Sequence, residues 1–179
     1  MKAFEEDICT QRLRLRRLTT DDWKNLASML QDENVMYAYE HAFSEDEVTQ
    51  WLERQMVRYE KEDGLGLLAV DLKDDGTFIG QCGLTYQNVN GTIVPEIGYL
   101  LKKEFWHRGY ASEAASAIRD YAFDCLHMDE VWSIIRENNF ASQAVAIRLG
   151  MEPRCRIVKH YHGMNMVHIC YCVRRSRSA

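Results

Sequence analysis

The chain has 179 residues, of which 46% are hydrophobic and 27% charged, with only two prolines. These values fit one globular domain over residues 1–179 with flexible ends at 1–8 and 174–179, because no linker-like stretch or repeat divides the chain. The 22 lysines and arginines against 27 acidic residues give a net charge of −5, which argues against nonspecific nucleic-acid binding.

A strand is predicted near the N-terminus. Leucine alternates with arginine from Arg12 to Leu18, so Leu13, Leu15 and Leu18 should face inward. Its arginines are expected on the solvated face, and docking of an RNA or protein partner through them is the alternative.

Two helices should follow this strand. Thr19–Asp22 supplies an N-cap with acidic residues in the first turn, and apolar residues at helical spacing follow. Ser44 and Glu47 form the capping-box pattern at the start of the second helix. The buried face of that helix is predicted to carry Val48, Trp51, Leu52, Gln55 and Tyr59.

Beyond Leu65 the hydrophobic period changes to that of strands. Strands are predicted over Leu67–Leu72, Thr77–Tyr86 and Thr92–Leu101, joined by turns rich in Asp, Asn and Gly. A third helix then follows. The remaining predicted elements are a strand at Val131–Arg136, a helix at Ala141–Leu149, and strands at Arg154–Tyr161 and Met166–Val173. The order predicts a mixed α/β domain with an antiparallel meander and a βαβ crossover.

The start of the third helix has the features of an anion site. The run Trp106–Ala111 (WHRGYA) puts Gly109 where a strand gives way to a helix. Uncovered N–H groups and the helix dipole attract a phosphate, and a glycine lets the backbone approach it. The alternative is a turn glycine, with Ser112 as an ordinary N-cap.

Cysteine and histidine usage points to no metal site. The six cysteines show no CxxC spacing, which indicates free thiols in a reducing, cytoplasmic setting. No signal peptide opens the chain, and no apolar run reaches the ~20 residues of a membrane span. His160, His162 and His168 lack a matched ligand set, so no metal is expected.

Three motifs together resemble one family. EIGYLL (Glu96–Leu101), WHRGYASEA and ENNFASQAVAIRLGM (Glu137–Met151) are similar to segments of the GNAT family of acyl-CoA-dependent N-acetyltransferases, in its RimJ/RimL-like branch. That branch acetylates ribosomal-protein N-termini and other amines. The resemblance extends over Cys9–Val173 and implies an α+β GNAT fold: a mostly antiparallel seven-stranded sheet with four helices, splayed between strands 4 and 5.

The resemblance implies acetyl-CoA as the acyl donor. The family's loop has the form Gln/Arg-x-x-Gly-x-Gly/Ala; Gly109 and Ala111 match it, whereas Trp106 departs from it. The pyrophosphate would lie on the amides of this loop, the pantetheine arm beside the fourth strand, and Asn139 would hold the arm. The implied cofactor residues are Ile97, Tyr99, Leu100, Leu101, His107, Arg108, Gly109, Tyr110, Ala111, Ser112 and Asn139.

Acetyl transfer requires a neutral amine, a polarised thioester carbonyl and a partner for the leaving thiolate. Glu96 is the candidate base, with a solvated or arginine-paired carboxylate as the alternative. A backbone N–H near Ile97–Tyr99 would meet the oxyanion. The family's tyrosine acid corresponds to Ala146, so Ser142 is the candidate partner of the thiolate; alternatively, Ser142 is only an N-cap.

The acceptor is the part of the function that the sequence specifies least. Tyr37, Glu40 and Tyr86 are the candidate substrate residues, and a pair of acids, Glu40 and Glu96, would favour a cationic amine such as a peptide N-terminus, a polyamine or an aminoglycoside.

A ribosomal-protein N-terminus is a candidate partner; nucleic acid and membrane are not, and the protein is expected as a monomer or homodimer. The alternative function is a non-catalytic acyl-CoA sensor or a ribosome-docking module. Further candidates for the lining of the acceptor site are Tyr39, His41, Tyr161 and His162.

Overall fold

The computed structural model describes residues 3–61, 63–161 and 163–175, in which four helices and eight strands alternate in an α+β order. The helices are α1 (Trp23–Leu30), α2 (Glu45–Lys61), α3 (Tyr110–Asp124) and α4 (Phe140–Arg148). The strands are β1 (Ile8–Cys9), β2 (Leu13–Arg17), β3 (Gly66–Leu72), β4 (Phe78–Val89), β5 (Thr92–Leu101), β6 (Glu130–Arg136), β7 (Glu152–Tyr161) and β8 (Met164–Arg174).

All strands lie in one sheet of order β1-β2-β3-β4-β5-β6-β8-β7. Every neighbouring pair is antiparallel except β5 and β6, which are parallel. Within the described residues, these two strands pair at a single position, Glu96 with Trp132. Beyond that pair the two strands diverge. This is the splay that was expected between the fourth and fifth predicted strands, which are β5 and β6 here.

The N-terminal segment differs from the prediction. The sheet has eight strands rather than seven, because Ile8 and Cys9 pair with β2. Ala3 and Phe4 are also buried, and the Phe4 ring stacks on Tyr121 at 5.1 Å. Within the segment predicted to be flexible, Ala3, Phe4 and Ile8 are thus packed or paired in the fold.

At the other end, Arg174 belongs to β8 and pairs with Glu130, so the predicted flexible tail begins too early. Residues 1, 2 and 176–179 lie outside the described part of the chain. Among the described residues, none of the helices combines the length and the apolar character that a membrane span requires.

The described residues form three hydrophobic clusters, of which the two larger cover opposite faces of the sheet and the third surrounds Cys170. The largest contains Ile118 of α3 and Val145 of α4 with Leu13 and Leu15 of β2, both of which are fully buried as predicted. The second lies beneath α1 and α2 and includes Leu26. Helices α3 and α4 therefore cover one face of the sheet, and α1 and α2 cover the other.

Three of the four arginines in the Arg12–Arg17 run pair with carboxylates of this chain, and the fourth, Arg17, donates to the Ala3 carbonyl at 2.8 Å. Arg12 pairs with Glu113, Arg14 with Asp7, and Arg16 with both Asp22 and Asp71. These partners hold the arginines within the chain, while the RNA or protein docking surface stays an untested alternative.

The second helix is fixed at its start and along its buried face. The Ser44 N–H donates to Glu47 Oε2 at 2.8 Å and the Glu47 N–H to Ser44 Oγ at 3.3 Å, so the predicted capping box forms. Gln55 Oε1 accepts from the Leu67 N–H at 3.1 Å, which ties the buried face to β3. The register of α2 over the sheet is thereby set.

Candidate active site

A cavity of about 1200 Å³ opens where β5 and β6 diverge. Its walls come from β5, the start of α3, α4, the segment before α2, α2 itself and the β7–β8 hairpin. It gathers residues that lie far apart in the sequence. The predicted cofactor residues that line it are Ile97, Tyr99, Leu100, Leu101, His107, Gly109, Tyr110, Ala111, Ser112 and Asn139.

Side chains form hydrogen bonds with some of the backbone groups on the edge of β5 that faces the splay. Ser133 Oγ donates to the Ile97 carbonyl at 3.1 Å, and Trp106 Nε1 donates to the Leu101 carbonyl at 2.8 Å. Because backbone groups of alternate strand residues point to the same side, the N–H and C=O of Tyr99 face the opening between them. An extended ligand can pair with the strand there.

The first turn of α3 presents uncovered N–H groups to the cavity. Gly109 is the N-cap, with φ 81° and no capping side chain, and its carbonyl accepts from the Glu113 N–H at 3.0 Å. Ser112 lies inside the first turn, so the alternative that it caps the helix is wrong. The free N–H groups at the start of the helix and its dipole suit a phosphate.

Arg108 is not among the described residues that line the cavity, and its contact with a cofactor stays a prediction. Its guanidinium lies over the Phe105 ring at 5.8 Å, and its carbonyl accepts from Arg12 Nη1 at 3.1 Å. Arg12 also lies over the Tyr110 ring at 4.4 Å and pairs with Glu113 at 2.6 Å. The cation that braces this loop is thus Arg12, which the sequence pattern had suggested was only a solvated strand residue.

We expect Gly109→Ala to raise the Kd for acetyl-CoA about tenfold. A left-handed residue other than glycine costs about 1–2 kcal/mol, and relieving that strain moves the N–H groups of the first turn. Space is not the obstacle, because an added Cβ would meet Arg12 Nη2 at 3.4 Å. Isothermal titration calorimetry with acetyl-CoA measures the effect.

Gly76→Ala is the matched control. Gly76 has φ +73° in the turn between β3 and β4, with nothing within 4 Å of an added Cβ. It should lose similar thermal stability while leaving the Kd for acetyl-CoA unchanged. Equal Kd values for the two variants would contradict a ligand role for the α3 N-terminus.

Glu96 lies at the apex of the splay, half-buried in the cavity wall. Its Oε1 accepts from the Ile134 N–H across the gap at 3.1 Å. Burial raises the pKa of Glu96 to about 7, against the opposing effects of Lys159, the Ile134 N–H and Arg58. The alternative of a solvated carboxylate does not fit this position, and the group changes charge near neutral pH.

The start of α4 places Ser142 and Asn139 together. Asn139 is the N-cap, since its Oδ1 accepts from the Ser142 N–H at 3.2 Å, so the alternative of Ser142 as N-cap is wrong. The Tyr99 hydroxyl donates to the Ser142 carbonyl at 2.9 Å, and burial raises the pKa of Tyr99. Tyr37 donates its hydroxyl to Asn139 Oδ1 at 2.9 Å. These bonds hold α4 against β5 and the segment before α2.

The predicted substrate residues divide into two groups. Tyr37 and Glu40 line the cavity, as do Tyr39 and His41. Tyr86 is a correction: it pairs with Pro95, whereas its neighbour Thr85 pairs with Glu96 and shares the cavity face. Because strand residues alternate between faces, Tyr86 points away from the cavity. The side chain of Tyr161 and the whole of His162 lie outside the described residues.

Sequence reasoning missed several basic residues in the lining, among them Arg54, Arg58 and Lys159. Arg54 and Arg58 are four residues apart on α2, a spacing that indicates one shared helix face. That signal cannot by itself distinguish a ligand-binding face from a solvated one. Over the described ranges, no group of three or more His, Cys, Asp or Glu residues is arranged to hold a metal ion.

Residues 12–152 match the family model of the Acetyltransferase (GNAT) domain. The chain belongs to the GNAT acetyltransferase family. Among its relatives, YkkB of Bacillus subtilis is 34% identical over 145 residues, 80% of this chain and 84% of that protein. YnaD of the same organism, described as an uncharacterized N-acetyltransferase, is 30% identical over 80% of this chain and 81% of its own.

Solved GNAT structures share the fold. An acetyltransferase from Agrobacterium tumefaciens is 26% identical, with a TM-score of 0.78 over 95% of each chain. RimL, a ribosomal L7/L12 alpha-N-protein acetyltransferase in complex with coenzyme A, is 16% identical, with a TM-score of 0.78 over 94% of this chain and 98% of its own. The ribosomal-protein-S5-alanine acetyltransferase of Vibrio fischeri is 18% identical, with a TM-score of 0.76 over 95% and 97%. The resemblance drawn from EIGYLL, WHRGYASEA and ENNFASQAVAIRLGM is confirmed.

The departure from the GNAT loop form at Trp106 has a structural explanation. Its indole N–H donates to the Leu101 carbonyl at the end of β5, and its ring packs edge-on against the Tyr37 ring, with 6.2 Å between the ring centroids. Trp106 thus joins the loop to the strand and to the segment before α2, while the N–H groups of α3 remain uncovered.

Proposed function

We propose that this GNAT protein transfers the acetyl group of acetyl-CoA directly to a primary amine, either the N-terminus of a peptide or protein or a small amine. The observation that carries the proposal is one cavity with two ends. It reaches from the uncapped N-terminus of α3 to the carboxylate of Glu96 at the apex of the splay. An anion site and a titratable base thus border the same space.

The residues at the first end fit acetyl-CoA, which when bound supplies an acyl group activated as a thioester. The N–H groups of Tyr110, Ala111 and Ser112 are in the first turn of α3 and suit its pyrophosphate. The open edge of β5 at Tyr99 suits an extended pantetheine arm. Asn139 uses its Oδ1 within the protein, which leaves its amide N–H group as the donor for the arm.

At the second end, Glu96 accepts the proton of the acceptor amine, directly or through water. An α-amino group has a pKa of about 8, so a carboxylate whose pKa is about 7 is well matched to it. Backbone N–H groups of β5 near Ile97–Tyr99 provide the hydrogen bonds that a developing oxyanion requires. Proton acceptance and charge stabilisation thus come from adjacent residues of one strand.

We expect Ser142→Ala to lower kcat about 10- to 100-fold without weakening acetyl-CoA binding. The reason is that a hydrogen bond to a charged group such as a thiolate contributes about 1.5–3 kcal/mol. Steady-state kinetics and the Kd for acetyl-CoA test this together. Because Asn139 caps α4, thermal stability should not fall, and an unchanged kcat would contradict the role.

A peptide N-terminus is the acceptor that we favour. RimL and the S5-alanine acetyltransferase, which are named for ribosomal proteins, have the same fold, and the cavity is large enough for an extended chain end. A ribosomal-protein N-terminus is therefore a candidate within this class.

A thiol-release assay tests the proposed function. The protein is incubated with acetyl-CoA and a panel of N-terminal peptides, polyamines and small amines, and free CoA is followed over time with mass spectrometry of the product. Acetylated amine with stoichiometric CoA release supports the enzyme. Binding of acetyl-CoA without turnover on any amine would instead favour a sensor, and no binding would exclude both.

A further inference from the structure

Two cysteines of the β7–β8 hairpin face each other across neighbouring strands. Cys155 of β7 and Cys170 of β8 are register partners, 15 residues apart in the numbering. Their thiols are close enough to share a hydrogen bond. Across the described strand pairings, no other position sets one cysteine opposite another. The fold therefore singles out these two thiols for a joint reaction.

The backbone at this pair satisfies the geometry of a disulfide. Directly opposite residues of antiparallel strands have Cα atoms about 4.5–5.5 Å apart, and a disulfide requires about 4.4–6.8 Å. Opposite residues also point to the same face of the sheet. Both side chains are free thiols here. Cys155 and Cys170 can therefore be joined by rotation of their side chains, without a shift of either strand.

The two thiols differ in their surroundings. Cys170 is fully buried in a small hydrophobic cluster with Val89 and Val94. Burial and the neighbouring Cys155 thiol raise the pKa of Cys170 to about 12. Cys155 is only half-buried and borders a second cavity, of about 340 Å³. A dissolved oxidant therefore reaches Cys155 first, and Cys170 is placed to react with the product.

The pair lies at an irregular point of the sheet edge. Strand β7 is the edge strand, last in the sheet order after β8. Its register shifts between Pro153 and Cys155, where a bulge interrupts the hydrogen-bond ladder. A covalent bond at Cys155 would thus fasten the edge strand beside this interruption.

The same hairpin forms one wall of the candidate active site. Lys159 and Met166, which line the large cavity, lie between the two cysteines in the chain. Cys170 is also opposite Ile134, whose N–H donates to Glu96 at 3.1 Å. A bond between β7 and β8 therefore acts on the part of the sheet that borders the proposed base.

We propose that Cys155 and Cys170 form a reversible disulfide, made by a hydroperoxide and broken by a dithiol, that fastens β7 to β8 beside the active site. The hydroperoxide oxidises the Cys155 thiol to a sulfenic acid and is reduced to an alcohol, or to water if it is hydrogen peroxide. The Cys170 sulfur then attacks the Cys155 sulfur and the S–O bond breaks. The departing hydroxide takes the Cys170 proton and leaves as water.

Mass spectrometry of the full chain tests the proposal. The protein is reduced with dithiothreitol, freed of reductant, treated at low protein concentration with limiting hydrogen peroxide, and alkylated with N-ethylmaleimide. We expect two of the six thiols to escape alkylation, and renewed dithiothreitol to restore both. Tryptic peptides analysed without reduction should join Cys155 to Cys170, and fragmentation between residues 170 and 172 distinguishes this link from one to Cys172.

The fastening of the hairpin has its own readouts. A cross-link that closes a loop of this length limits the unfolded chain, so the oxidised protein should melt about 5–10 °C above the reduced protein in differential scanning calorimetry. Strand β7 lies at the sheet edge, where amide exchange proceeds through local opening. Its hydrogen exchange should therefore slow on oxidation.

Cys155→Ser is the test variant, and Cys125→Ser is its control. Because Cys155 is half-buried, serine should preserve the fold while the cross-link, the increase in Tm and the slower exchange of β7 are lost. Cys125 is exposed at the end of α3, so its replacement should leave all three intact.

Three results would overturn the pair: sulfinic acid at Cys155 without a cross-link, a link from Cys155 to Cys172, or a link between separate chains. A link at the expected pair that leaves Tm and the exchange of β7 unchanged would overturn the fastening. None of these measurements requires acetyl transfer, so this inference and the proposed function can fail independently.

Discussion

Replacing Glu96 with glutamine lowers kcat/KM for acetyl transfer by about 10²-fold or more at pH 7 while leaving the Kd for acetyl-CoA unchanged. A positioned general base contributes about 10²–10⁴-fold, and glutamine keeps the size and the hydrogen bond from the Ile134 N–H but cannot accept a proton. Steady-state kinetics with a peptide acceptor, together with calorimetry for acetyl-CoA, measure the two quantities.

The pH profile provides the sharper measurement. The raised pKa of Glu96, about 7, means that its ionised form is lost as pH falls through that value. An α-amino acceptor with a pKa of about 8 loses its neutral form over an overlapping range. Log kcat/KM should therefore rise with a slope of two below pH 7 in the wild type, but with a slope of one in Glu96→Gln.

Glu130→Gln is the matched control for this change. Glu130 begins β6 and accepts from the Trp132 indole N–H at 2.8 Å, but it is not part of the described cavity lining. It should keep both the rate and the slope of two. A Glu96→Gln enzyme with full kcat/KM across the pH range would remove the base assignment.

Replacing Arg16 with methionine is expected to destabilise the fold by about 3–5 kcal/mol. Arg16 is bound to Asp22 by two 2.8 Å bonds and to Asp71 by one of 2.7 Å, and only 4% and 6% of these carboxylate side chains are accessible. Removing the cation leaves both carboxylates buried without their positively charged hydrogen-bond partner. For a chain of this size the loss corresponds to a decrease in Tm of roughly 6–20 °C, measured by differential scanning calorimetry.

The arginine two residues earlier on the same strand is the control. Arg14 pairs with Asp7 at the surface, with 53% and 37% of the two side chains accessible, so Arg14→Met should cost no more than about 1 kcal/mol. Equal Tm values for the two variants would contradict the assigned role of the Arg16 cluster.

The pH dependence of the Arg16 effect follows from Asp22, whose pKa is lowered; at Asp71 burial outweighs the attraction of Arg16 and raises the pKa. Burial opposes ionisation of Asp22, but the bonds from Arg16 and Thr19 outweigh it and lower its pKa. The stabilisation from ionised Asp22 is therefore fully present above its pKa in the unfolded chain, and it is lost as pH falls through its lower pKa in the folded protein. The difference between Arg16→Met and wild type should therefore be full at pH 7 and shrink below about pH 4.

The pattern of residues along the chain was sufficient to predict most of the helices and strands. The alternation of Leu13 and Leu15 predicted which face of β2 is buried, and Ser44 with Glu47 predicted the start of α2. These features depend on residues close together in the chain. Strand β1 was missed because two residues have too short a pattern to show a period, and its pairing depends on contacts with β2.

The family and the loop at Gly109 could be predicted from the sequence, because motifs of fixed spacing carry them, and the resemblance to that family implied Glu96 as the candidate base. The folded structure was needed to show that Asn139 rather than Ser142 caps α4, that Tyr86 faces away from the cavity, and that Arg12 rather than Arg108 braces the loop. It also brought Arg58 and Lys159, 101 residues apart in the numbering, to one cavity. The burial and the charge of such a site result from elements that are far apart in the sequence, so they cannot be predicted from local residue spacing.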